Sequence, residues 1–133
     1  AGATSVKIGK RSGGSRKSSD GERSLPQSQV LPIIVAMLTH VVLFKFPRRE
    51  DAQQACGLLL GMRGRIETLQ AIEAGVDITH SPRSFDLALI TRFADQAGLD
   101  AYAKHPVHLE VLAFIKQHVE VVRAVDYVSS AAG

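Results

Sequence analysis

From Met37 onward the apolar residues follow two rhythms, one of two residues and one of three to four. In Thr39-His40-Val41-Val42-Leu43-Phe44-Lys45-Phe46, His40, Val42, Phe44 and Phe46 share one face and Val41, Leu43 and Lys45 the other. This alternation, rich in β-branched and aromatic residues and ended by Pro47, predicts a strand. The period then lengthens. Ala52, Ala55, Leu59, Met62, Ile66 and Leu69 recur at steps of three and four, which predicts one helix from Arg49 to Leu69. Gly57, Gly61 and Gly64 each weaken that helix relative to alanine, so its middle is expected to bend or pack closely.

Ile72 to Thr79 is a weaker strand, and His80-Ser81-Pro82-Arg83-Ser84 has the chemistry of a loop. Phe85 to Phe93 is a strong strand with Phe85, Leu87, Leu89 and Phe93 on one face and Asp86, Ala88, Ile90 and Arg92 on the other. Asp95 is placed to cap a short helix that runs to about Lys104. Pro106 suits the first turn of a second helical piece, where its missing N–H costs nothing. The apolar side of that piece is Val107, Val111, Leu112, Phe114, Ile115 and Val119, and a valine-rich strand from Val121 to Val128 follows. The order β-α-β-β-α-β places the chain in the α+β class as a ferredoxin-like protomer, four antiparallel strands with helices over one face. Val41 and Leu43 fall on the uncovered face, so a homodimer with two sheets packed face to face is expected.

At 133 residues and 45% apolar composition the chain suits a single domain with a real core. Its net charge of +3 is unevenly placed. Residues 1–36 hold six basic side chains (Lys7, Lys10, Arg11, Arg16, Lys17, Arg23) against Asp20 and Glu22. Of the chain's 16 basic and 13 acidic groups, ten and eleven therefore remain for residues 37–133, a balance of −1. A folded nucleic-acid binder carries its basic face on its own elements, so no nucleic-acid partner is expected for the domain. The single cysteine, Cys56, excludes an internal disulfide and a cysteine-based zinc site, and it fits core packing in a reducing, cytoplasmic setting.

Residues 1–29 are mostly Gly, Ser, Lys and Arg, which is a disorder composition, and an apolar run begins at Val30. A basic stretch before such a run is also the pattern of a targeting segment. No small-residue cleavage site follows it, Pro32 interrupts it, and His40 and Lys45 make it too polar to span a membrane. Residues 1–36 are therefore read as a basic upstream extension, residues 37–133 as the domain, and no membrane partner is expected.

Three segments carry a resemblance. Met37-Leu38-Thr39-His40-Val41-Val42-Leu43-Phe44-Lys45-Phe46, then Tyr102-Ala103-Lys104-His105-Pro106-Val107-His108, and the closing Val125-Asp126-Tyr127 resemble the stress-responsive A/B barrel proteins. The likeness spans about Met37 to Val128, and its most specific part is the Tyr-x-x-His-Pro-x-His segment. It implies a ferredoxin-like protomer and a dimeric α+β barrel. Most functions in that family are unassigned, but a plant branch closes linear polyketides into aromatic rings without a cofactor. In that branch a Tyr and a His matching Tyr102 and His108 are the acid–base groups, and a His matching His40 lines the pocket. Its third-strand His corresponds to Leu87 here, so one pocket donor of that branch is absent.

The residues also argue for themselves. With a helix starting at Pro106, His108 has Val111 and Leu112 at i+3 and i+4 and Ile115 at i+7, so its ring is expected to face inward. Burial favours the neutral imidazole that a general base needs, and Tyr102 is able to donate to a carbonyl or steady an enolate. The plainer reading makes His108 a packed histidine bonded to Tyr102 or to a backbone carbonyl at the helix break. A small apolar ligand between sheet and helices is expected to meet His40, Val42, Phe44, Leu87 and His105. His105 and His108 stand at i, i+3, with His40 or Asp126 as further donors, but a zinc site needs three or four ligands and His105 suits the helix start better. No metal and no cofactor are expected. Three readings remain open: a ligand-binding dimer, a cofactor-independent enzyme of cyclase, isomerase or oxygenase type, and a purely structural dimer.

Overall fold

The computed structural model describes residues 36–130, and the expectations for the extension ahead of Ala36 lie outside them. Seven elements run in the order β1 (Ala36–Lys45), α1 (Arg49–Leu60), β2 (Ala71–Val76), β3 (Leu87–Phe93), α2 (Gln96–Lys104), α3 (Pro106–His118) and β4 (Val121–Ser130). The strands form one sheet in the order β2-β3-β1-β4. β3 runs antiparallel to both β1 and β2, pairing Val42 with Leu89, Phe44 with Leu87 and Ile72 with Thr91. This is the expected ferredoxin-like α+β arrangement, with the second helical region in two pieces.

The two-residue rhythm of the central strands sets the layers. Leu38, Val42 and Phe44 of β1 and Leu87, Leu89 and Phe93 of β3 are buried and face the helices. Ala52, Ala55 and Leu59 of α1, Leu99 and Tyr102 of α2, and Val111 and Ile115 of α3 close over them. The other face carries Val41, Leu43 and Ile90, with Val41 opposite Ile90 in the register. Leu43 is 37% exposed in the protomer, and on β4 Val125 is 55% and Tyr127 46% exposed.

The predicted helix from Arg49 to Leu69 is too long by nine residues, for α1 ends at Leu60. Past that point the backbone tightens into three-residue turns, with Met62 N–H donating to the Leu59 carbonyl and Arg65 N–H to that of Met62. Gly64 then turns the chain at φ 78°, a left-handed conformation that glycine adopts without strain. Met62 and Ile66 nonetheless reach the core, so the apolar stripe continues although the helix does not. β2 likewise stops at Val76, short of Thr79. The Asp77 carboxylate accepts from the backbone N–H of His80 at 2.5 Å, a local turn that competes with further pairing. β1 begins earlier than predicted, at Ala36, and β4 runs on to Ser130. Among the described residues no helix is long and apolar enough to cross a membrane.

Candidate functional site

The α2–α3 junction brings the Tyr-x-x-His-Pro-x-His segment against the sheet. Asp95 caps α2 as predicted, its carboxylate accepting from the Gly98 N–H at 2.9 Å. Seven residues on, in the last turn, Tyr102 is buried to 2% exposure. Its ring centroid lies 5.0 Å from that of Phe93 on β3 and 4.3 Å from that of His108 on α3. His40 of β1 stands edge-on to the same phenol at 6.4 Å. Rings from β1, β3, α2 and α3 thus meet at one point.

The polar atoms of this cluster are unequally satisfied. Tyr102 Oη is the one buried side-chain nitrogen or oxygen among the described residues with no hydrogen bond. Burial pushes the phenol well above its ordinary pKa, so the group stays a neutral O–H donor. His108 Nδ1 lies 3.1 Å from the Ala103 carbonyl oxygen, which only accepts, so Nδ1 carries the proton and Nε2 keeps its lone pair in the neutral ring. Burial lowers the His108 pKa; the Ala103 bond opposes this, and the neighbouring His40 and His105 imidazoles, when charged, add to the lowering. His40 Nδ1 bonds the Asp126 carboxylate of β4, which by the same logic protonates Nδ1 and leaves Nε2 as the acceptor.

The remaining expected residues divide. Val42, Phe44 and Leu87 are part of the buried core on the His40 side of the sheet. His105 caps α3, its Nδ1 accepting from the Val107 N–H at 3.1 Å, with its Nε2 3.4 Å from a Glu67 carboxylate oxygen. His108 is half-buried, and the bond it makes goes to a backbone carbonyl, not to Tyr102. Among the described residues no group of three or more His, Cys, Asp or Glu side chains is placed to hold a metal ion.

A family model, that of the stress-responsive A/B barrel domain, matches residues 38–129. The chain belongs to that family. Solved structures with the same architecture include a dimeric ferredoxin-like protein of unknown function from Thermobifida fusca. It superposes with a TM-score of 0.64 at 23% identity, over 71% of this chain and 92% of its own. A dimeric protein of unknown function from Bacteroides fragilis gives 0.64 at 24% identity, over 70% and 96%. The hydroxynitrile lyase of Passiflora edulis gives 0.62 at 13% identity, over 73% and 96%. At these identities the likeness is one of fold. No curated protein matches the chain.

The roles of two members of this A/B barrel site escaped sequence reasoning. Asp126, which the sequence offers as a possible metal donor, instead joins β4 to β1 through the His40 imidazole. The signal was an acid among the alternating Val122, Ala124 and Val128; what the sequence lacks is the β1–β4 register across 86 residues. Phe93 reads as core filler, and it is that, yet it is also the surface on which Tyr102 rests.

Proposed function

We propose that this A/B barrel domain is a homodimer that binds a small, largely apolar molecule between sheet and helices, with Tyr102, His108 and His40 as its polar contacts. One observation carries the reading: a buried phenol O–H with no protein partner, packed against an imidazole whose Nε2 is unused. Buried polar groups are almost always paired, and a ligand oxygen is the partner that such a donor suits. Val42, Phe44 and Leu87 supply the apolar wall. The homodimer is supported by the exposed Leu43, Val125 and Tyr127 and by the dimeric relatives from T. fusca and B. fragilis. A single, half-buried cysteine suits a cytoplasmic setting.

A second reading, cofactor-independent proton transfer on an enolisable carbonyl compound, is favoured by the tautomer of His108. Its Nε2 takes a proton from the carbon beside the carbonyl, the C–H pair becomes the enolate C=C, and the carbonyl π pair moves to the oxygen. Tyr102 O–H donates to that oxygen, and return of the imidazolium proton to the far carbon of a conjugated enolate completes an isomerisation; in a ring closure the enolate carbon instead bonds to a second carbonyl carbon, whose π pair moves to its own oxygen and takes the imidazolium proton as a hydroxyl. His40, oriented by Asp126, offers a second acceptor. Leu87 narrows the chemistry, because an apolar side chain stands where the cyclase branch carries its third-strand histidine. Melting the protein with a panel of 1,3-dicarbonyls, β-keto thioesters and non-enolisable isosteres tests both readings. Shifts of several degrees are expected for some member of the panel, and for the enolisable ones where catalysis operates. A panel with no shift at millimolar concentration leaves only the structural dimer.

A further inference from the structure

We propose that His105 is the positioning residue for the Tyr102–His108 pair, acting through the turn between α2 and α3 and not through ligand contact. Its functional meaning rests on the reading above, but its structural content does not. His105 supplies three bonds at the junction. Its backbone N–H donates to the Tyr102 carbonyl at 3.1 Å and ends α2. Its carbonyl accepts from the Leu109 N–H at 2.9 Å and begins α3. Its side-chain Nδ1 accepts from the Val107 N–H at 3.1 Å.

The third bond is the one that chemistry makes selective. The first turn of a helix has four N–H groups without an intrahelical acceptor. Pro106 removes one of them, and Val107 N–H is satisfied by this imidazole. An imidazole accepts at Nδ1 only as the neutral ring with its proton on Nε2. That nitrogen faces the Glu67 carboxylate at 3.4 Å, an acceptor that favours this tautomer. His105 is therefore held in the tautomer opposite to that of His108 and His40. Its Nδ1 is committed to the cap, and its Nε2 faces a carboxylate on the surface side of the turn.

His108 directly follows the capped Val107 and closes the turn back onto α2 through Nδ1–H to the Ala103 carbonyl. Four bonds thus lock residues 102–109, and the 4.3 Å approach of the Tyr102 and His108 rings is set by that lock. Without the cap, Val107 N–H is orphaned, the first turn of α3 frays, and the Ala103–His108 bond that fixes the His108 tautomer loosens with it. The other groups that bear on His108 are the His40 imidazole from β1 and the Tyr102 phenol from α2.

The test is long-range 1H–15N correlation of the histidine rings at neutral pH, on the full chain and on two variants. In the unmodified protein His105 is expected to carry its proton on Nε2 and His108 on Nδ1; His105 protonated on Nδ1 overturns the proposal with no variant needed. His105→Asn keeps a short acceptor for the Val107 N–H and is expected to leave the His108 tautomer and titration unchanged. His105→Leu removes the acceptor and is expected to give His108 mixed tautomers, a shifted titration midpoint, and loss of any ligand-induced melting shift. A cap with no positioning role gives a lower melting temperature in His105→Leu while His108 stays on Nδ1–H with an unmoved titration, and that result also overturns the proposal. The ring measurements need no ligand, so a panel that binds nothing sinks the functional reading and leaves this inference to stand or fall separately.

Discussion

Tyr102→Phe isolates the group on which the site depends. The substitution keeps the ring, and with it the packing on Phe93 and His108 at 5.0 and 4.3 Å, and removes only the buried hydroxyl. A hydroxyl desolvated without a partner costs about 1–3 kcal/mol. Deleting it returns that cost, less a small loss of packed volume. The net expectation is a gain of about 1 kcal/mol, equivalent to roughly 4–8 °C in melting temperature for a domain of this length. Urea unfolding at fixed protein concentration measures it, with an unchanged denaturant slope showing that the same surface is exposed on unfolding. A loss of about 1 kcal/mol or more refutes the reasoning, because it means that the hydroxyl is hydrogen-bonded in the ligand-free protein. A site that keeps an unsatisfied donor at a cost in stability is what a binding or catalytic role predicts.

Three further outcomes follow from the same structure. Light scattering at micromolar concentration should give about twice the 14.3 kDa chain mass, and Leu43→Lys, which sets a charge on the apolar open face, should dissociate or unfold the dimer; a clean monomeric parent contradicts the barrel. A chain beginning at Met37 should melt within a degree or two of the full chain if residues 1–36 behave as their composition predicts, and a fall of many degrees shows that they contribute to the fold. The folded-state pKa of His108 lies below the 6.5 of a free imidazole, so between the two values the unfolded chain binds the extra proton. The stability linked to His108 is therefore complete above about pH 6.5 and lost as pH falls toward the folded pKa; His108→Gln should flatten that part of the profile, and an unchanged acid limb removes His108 as its source.

The layers of the fold were legible because β1 and β3 are each buried on one face, and a two-residue rhythm over seven or more residues has one satisfactory orientation. The caps were legible for a similar reason: Asp95 and Pro106 are local devices whose partners lie within four residues. The end of α1 was not. Met62 and Ile66 extend its apolar stripe and are buried, but periodicity reports which side chains reach the core, not which carbonyls their backbones bond. The end of β2 was hidden in the same way by the Asp77 turn.

The candidate site shows the same division. Tyr102 and His108 belong to one short segment, and their helix positions placed them together at the junction. The bond that orients His40 spans 86 residues, and no local pattern records it. The tautomers of the three histidines depend on whether the facing atom is a carbonyl, a carboxylate or an N–H, which only the assembled structure supplies. A sequence can therefore offer an acid–base pair without saying which nitrogen is free to act.

Whether that free nitrogen only meets a ligand or also takes a proton from it separates the two proposed readings, and hydrogen–deuterium exchange at carbon tests it directly. A small enolisable 1,3-dicarbonyl compound that shifts the melting temperature is incubated with the protein in D2O, and the C–H signal is followed by proton NMR. Proton transfer predicts exchange above the buffer rate, governed by one group that titrates below the ordinary imidazole value, strongly slowed in Tyr102→Phe and absent in folded His108→Gln. Exchange at the buffer rate in the unmodified protein, or an equal rate in His108→Gln, contradicts it.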